Sequence, residues 1–155
     1  MYHGKNRTGF LPWTHAESRL VRSRSYWICT SRPDGRPHAA PVWGLWHEGA
    51  LYFGTHRESR KAKNIAANRS VSVHLESADD LVIVEGEAEE VVDQQRLAKK
   101  VGADYKKKYG MAWFVTPETI AYRVRPRVVL AWTEKEFPKN STRWQFTTET
   151  QSRRG

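Results

Sequence analysis

An antiparallel β-barrel of the α+β class is the fold this sequence predicts. About seven short runs rich in β-branched and aromatic residues are separated by turn signals. Only three stretches have helical spacing. Tight turns between successive runs favour antiparallel pairing, and so many short strands in so short a chain favour closure towards a barrel.

Thr14-His15-Ala16-Glu17 has the form of a capping box, so a short helix through Val21 is expected. Residues 25–31 carry Tyr26, Trp27, Ile28 and Thr30 and predict a strand. Pro33-Asp34-Gly35 predicts a turn, since proline presets φ and Gly35 supplies a positive one. A second strand is expected over residues 37–46, a turn at His47-Glu48-Gly49, and a third strand at Leu51-Tyr52-Phe53, together a meander. The period then changes. Residues 59–67 place Ala62, Ile65 and Ala66 at helical spacing. Val71, Val73 and Leu75 alternate with Ser72, His74 and Glu76, as in a half-buried strand. After Ala78-Asp79-Asp80, residues 81–92 predict a long strand with a bulge at Gly86. Asp93 caps a helix through Tyr109, with Leu97, Val101 and Tyr105 inward and Lys99, Lys100, Lys106, Lys107 and Lys108 in water. Residues 120–124 and 128–133 predict two last strands, separated at Pro126. One domain is expected over residues 1–155, with extended terminal segments at 1–12 and 137–155.

Composition narrows the function. The single cysteine, Cys29, excludes an internal disulfide and a cysteine zinc site, and its place in a strand suggests a buried, inert thiol. Six histidines show no helical i, i+4 pairing, so no metal site is expected. The longest apolar runs are about five residues against the roughly 20 of a membrane helix, and no signal peptide opens the chain. A cytoplasmic protein without membrane partners is therefore expected. No P-loop, GxGxxG or GxSxG motif is present. The 26 Lys and Arg against 17 Asp and Glu, a net charge of +9, suit solubility, nucleic acid or a phosphorylated ligand. Nucleic acid is disfavoured, because basic residues are spread along the chain and Glu85, Glu87, Glu89 and Glu90 punctuate the long strand. Of the seven Trp, Trp27 and Trp132 are expected in the core. Trp43, Trp46, Trp113 and Trp144 are candidates for an aromatic groove or for packing.

The informative stretch is residues 51–64. A strand ends at Phe53-Gly54-Thr55, and a helix opens near Ser59 with Arg60 and Lys61 in its first turn. Cations at a helix N-terminus oppose the dipole, and a bound anion would relieve that conflict. The alternative is a plain exposed basic helix.

Four segments now occur in order: residues 35–43 (GRPHAAPVW), 51–55 (LYFGT), 59–62 (SRKA) and 71–75 (VSVHL). Together they resemble the split-barrel flavin-binding superfamily named for pyridoxamine 5′-phosphate oxidase, which includes flavin and deazaflavin oxidoreductases. The resemblance implies a homodimer with FMN or coenzyme F-420 in grooves between subunits. It implies that Arg60 and Lys61 hold the cofactor phosphate with help from Ser59, and that Gly54 and Thr55 lie along the ribityl chain. Pro41, Val42 and Trp43 would face the isoalloxazine edge; Pro41 has no amide to donate. The vitamin-processing oxidases carry an Arg where this chain has Ala40, a substrate-gripping Lys where it has Leu45, and a Gln near Leu81. The resemblance thus implies hydride transfer between a (deaza)flavin and a small-molecule substrate other than pyridoxine phosphate. The alternative is a flavin- or haem-binding split barrel without turnover. No catalytic side chain is assigned.

Overall fold

The computed structural model describes residues 6–147. In chain order the elements are β1 (Asn6–Thr8), α1 (Trp13–Arg22), β2 (Tyr26–Ser31), β3 (Pro37–Val42), β4 (Leu45–His47) and β5 (Ala50–His56). They continue with α2 (Arg60–Ala67), β6 (Ser70–His74), β7 (Asp80–Glu90), α3 (Gln94–Tyr109), β8 (Thr119–Thr133) and β9 (Thr142–Gln145). Expectations for residues 1–5 and 148–155 lie outside the described residues.

The nine strands of the described residues share one antiparallel sheet, ordered β1-β9-β8-β7-β6-β2-β3, with β5 joining β8 to β4. β8 creates the split. One of its edges pairs with β7 along most of its length, while the other serves β5 over residues 119–124 and β9 over residues 128–131. Among the described residues no ladder joins β3 to β5, so the sheet curls without closing. Pro37 and Pro41 fit in β3 because it is an edge strand, where a missing N–H breaks no second ladder.

Several sequence expectations need correction. Pro126 does not end a strand. It pairs with Gly86 where the β7–β8 register shifts, so its missing donor falls at the bulge and β8 runs through. Residues 37–46 are instead two strands broken at Trp43-Gly44, and the expected meander becomes two hairpins, β2–β3 and β4–β5. The capping box does not form. α1 starts at Trp13 behind Pro12, with no side-chain cap, and Glu17 accepts a hydrogen bond from Trp46 Nε1 at 3.2 Å instead. Two other helix starts follow the sequence: Ser59 Oγ accepts from Ala62 N, and Asp93 accepts from Arg96 N. Gly35 turns with φ 86°, as the Pro-Asp-Gly signal requires.

The main core fills the barrel with Tyr26, Ile28, Phe53, Val73, Val84 and Trp144. Burying each such side chain stabilises by about 1.5–3 kcal/mol. A second, smaller cluster lies under α3, where Leu97 and Val101 meet Leu45, Ala50, Tyr52 and Ala121. Two of the tryptophans take the packing alternative, and the two expected in the core do not reach it. Trp46 and Trp144 are buried, whereas Trp27 and Trp132 are half-buried. Alternation explains it: Tyr26 and Ile28 take the inner face of β2, so Trp27 and Cys29 point outward, and neither is a core residue. Among the described residues, no helix is long and apolar enough to cross a membrane.

Candidate functional site

The residues singled out in the sequence fall into two groups. In the first, Thr55 Oγ1 donates to Ser59 Oγ at 3.2 Å, tying the end of β5 to the cap of α2. Arg60 and Lys61 follow in the first turn. Among the described residues neither side chain forms an ion pair or hydrogen bond. Burial holds the Lys61 ammonium below its ordinary pKa, so its charge is poorly compensated.

His38 belongs to this group, and the sequence reading missed it. It pairs with Thr30 on the inner face of the β2–β3 ladder, opposite the helix that Asn64 anchors by donating to Thr30 at 3.0 Å. Its Nδ1 is buried without a partner. Burial, then the cations Arg32, Lys61 and Arg60, hold its pKa below the ordinary value. The period-2 alternation that puts His38 on the face of Val42 was the available signal; it identifies the face but not the neighbours from α2.

In the second group, Trp43 and Gly44 fall in the gap between β3 and β4. Trp43 starts a row of rings. It stacks on Tyr109 at 4.5 Å and 5°; Tyr109 meets Tyr105 at 4.7 Å, and Tyr105 meets Trp113 at 5.1 Å. The row ends beside Gly54, where a β-carbon would lie 3.9 Å from Trp113 Cζ2. The indole Nε1 of Trp113 is buried without a partner. Tyr105-x-x-x-Tyr109 at helical spacing was legible as one face of α3, but its meeting with Trp43 was not.

Lys108 also departs from expectation. Rather than standing in water, its Nζ donates to Tyr26 Oη at 2.9 Å and to the Gly44 carbonyl at 3.0 Å. Burial, with Arg24 nearby, lowers its pKa to about 8.

Of the residues expected to face a ligand ring, Pro41 is exposed on β3, Val42 is buried at the strand end, and Trp43 is partly exposed. His38 and Val42 are four residues apart on β3, on the order of 13 Å at strand rise, while Gly54 beside Trp113 and Thr55 beside Ser59 are chain neighbours on β5. Two surface hollows, of about 400 Å³ beside Val92 and Pro117 and about 500 Å³ beside Arg127 and Arg143, are lined by none of these residues. An anion at the first group and a flat polar ring at the second fit what is present: uncompensated cations, an orphaned imidazole nitrogen, an orphaned indole donor and a shelf at Gly54 without a side chain.

Residues 14–137 match the family model described as pyridoxamine 5′-phosphate oxidase. Among solved structures, a conserved hypothetical protein of Mycobacterium tuberculosis, Rv2991, is 24% identical; the match covers 81% of this chain and 86% of that one, with a TM-score of 0.70. An F420 reductase is 26% identical over 73% of this chain and 94% of that one, with a TM-score of 0.58. HutZ, a haem storage protein of Vibrio cholerae, shares the fold at 15% identity, with 71% and 86% covered and a TM-score of 0.59.

Proposed function

Because the chain belongs to the pyridoxamine 5′-phosphate oxidase family, we propose that it is an oxidoreductase using FMN or coenzyme F-420 on a small organic substrate. The observation that carries this reading is the set of uncompensated cationic groups, Arg60 and Lys61, beside the orphaned His38. Arg60 would grip phosphate oxygens through paired N–H donors, Lys61 would add a point charge, and the Ser59 hydroxyl would assist. Gly54 and Thr55 would flank the ribityl chain. Trp43 and Val42 would offer amides to the ring edge, with Pro41 adding only shape and a carbonyl. The bound ring supplies the hydride chemistry, and the protein supplies position and electrostatics.

The likeness to an F420 reductase at 26% identity supports the deazaflavin as one candidate. A substrate other than pyridoxine phosphate is supported by Leu45, which is buried under α3, and by Ala40 and Leu81, which bring no charge. A homodimer is part of the proposal. Trp43, Met111 and Phe114 are exposed apolar groups around the row of rings, a surface that a second copy would cover.

Titration with FMN, F-420, riboflavin and haem tests the reading. Arg60→Ala should weaken FMN or F-420 binding roughly ten- to a hundredfold, since charge-assisted bonds contribute about 1.5–3 kcal/mol each. Riboflavin, which lacks the phosphate, should be indifferent to the change. Equal losses for all ligands would remove the phosphate assignment, and tight haem binding without flavin binding would replace the cofactor. Light scattering that gives a monomer with cofactor present would remove the dimer.

A further inference from the structure

We propose that Lys108 and Tyr109, at the last turn of α3, are positioning residues that fix the Trp43–Gly44 peptide in the conformation that receives the cofactor ring. The inference rests on the flavin reading above and extends it to residues outside the ligand groove.

β3 ends at Val42 and β4 begins at Leu45, so Trp43 and Gly44 have no ladder to hold them. Their geometry has to come from elsewhere, and α3 supplies it. Gly44 N–H donates to Tyr109 Oη at 3.0 Å, and that hydroxyl shares its one proton between the carbonyls of Gly44 and Arg24, each 2.8 Å away. Lys108 Nζ donates to the same Gly44 carbonyl at 3.0 Å. Both backbone polar groups of Gly44, in the two peptide units that flank it, are thus taken by two consecutive side chains. The Tyr109 ring then stacks on Trp43 at 4.5 Å, which fixes the indole as well. Among the described residues, the Trp43 N–H has no partner. The arrangement holds everything around that amide and leaves the amide itself open.

Gly44 is also closely confined. A β-carbon there would meet Leu51 Cδ1 and the Tyr52 carbonyl at 3.0 Å, so the peptide has little room to shift without the latch moving.

The grip depends on charge. The groups facing Lys108 Nζ are the Tyr26 and Tyr109 rings, at 4.8 and 5.2 Å, and the Arg24 guanidinium; no carboxylate is among them. An ammonium donating to a carbonyl makes a stronger bond than a neutral amine does. With a pKa of about 8, Lys108 loses its charge within an accessible range, and the hold on Gly44 weakens as pH rises through that value.

The test is FMN affinity from pH 7 to about 9.5, in wild-type protein, Lys108→Met and Tyr109→Phe, with F-420 in parallel. In wild type, Kd should rise through an apparent pKa of about 8. Lys108→Met should bind about tenfold more weakly at pH 7 and show no such rise. Tyr109→Phe keeps the ring stack and loses the hydroxyl, so it should bind more weakly at every pH and keep the rise. Thermal melting of each variant at pH 7 accompanies the titrations, because a protein that still melts cooperatively near the wild-type temperature has lost position rather than fold. Tight wild-type binding with a pH profile as flat as that of Lys108→Met, or equal Kd values in all three proteins, would overturn the latch and leave the flavin reading standing. Absence of FMN and F-420 binding to wild type would overturn both.

Discussion

A β-carbon on Gly86 would stand 2.2 Å from the carbonyl oxygen of Arg125, so β7 and β8 touch backbone to backbone at the bulge. No side chain fits there, and the next atoms met are the Arg125 carbonyl carbon at 3.1 Å and Pro126 Cα at 3.3 Å. The obstacle is main chain, which cannot rotate away as a flexible side chain would.

Gly86→Ala should therefore destabilise the protein by about 1–3 kcal/mol or more, as overpacking of a filled site does. Urea denaturation reads the change directly. A loss under about 0.5 kcal/mol would mean that β7 and β8 separate at this point.

Trp144 makes a second prediction. It is fully buried, packs edge-on against Trp13 at 5.5 Å, and belongs to β9 near the end of the described chain. Trp144→Ala should cost about 3–5 kcal/mol, the scale for emptying a core site of a large aromatic. A peripheral tail would give almost nothing in the same melt.

His38 carries a pH prediction for the ligand. Its pKa is held below the ordinary value by burial and by Arg32, Lys61 and Arg60, so it is neutral near pH 7. A phosphate seated among those cations would cancel their repulsion and draw a proton onto the ring. FMN affinity should then climb as pH falls from about 8 to 6, and climb less in His38→Gln. The difference between the two proteins is the quantity to read, because the phosphate itself titrates near pH 6 in both. Parallel profiles would exclude His38 from the anion site.

Lys108 affects folding with a definite sign. Its folded pKa of about 8 is depressed from the ordinary 10.5, so between those values the unfolded chain binds more protons than the folded one. Stability must therefore rise with pH across that window, and the cost of the buried charge is present below it. Relative to Lys108→Met, wild-type protein should gain melting temperature between pH 8 and about 9.5. Above that range the tyrosines intervene: burial raises the pKa of Tyr26, Tyr105 and Tyr109, so alkaline pH favours the unfolded chain. A constant difference in melting temperature across the window would count against the buried-amine assignment.

What was legible in the sequence was local. Ser59 and Asp93 cap their helices because the signal and its target lie within three residues of each other. The alternation of Val71 and Val73 and the bulge at Gly86 follow from the strand period and from one residue without a side chain. The cationic first turn of α2 was legible for the same reason: the residues and the helix end are neighbours in the chain.

Tertiary structure alone decided the rest. Thr14-His15-Ala16-Glu17 has a sound capping pattern, yet Glu17 serves Trp46, a residue 29 positions away. Lys108 belongs to a run of three lysines that reads as a solvated helix end, and only the Gly44 carbonyl, 64 positions away, draws its ammonium inward. Trp27 and Trp144 each sit on a strand, and which faces the core depends on how the sheet curls. His38 meets the cations Arg60 and Lys61 only because α2 folds back across β2 and β3. Propensity and period act over a few residues. The face a strand buries and the partner a long side chain finds are set by long-range packing, which requires the whole chain to be folded.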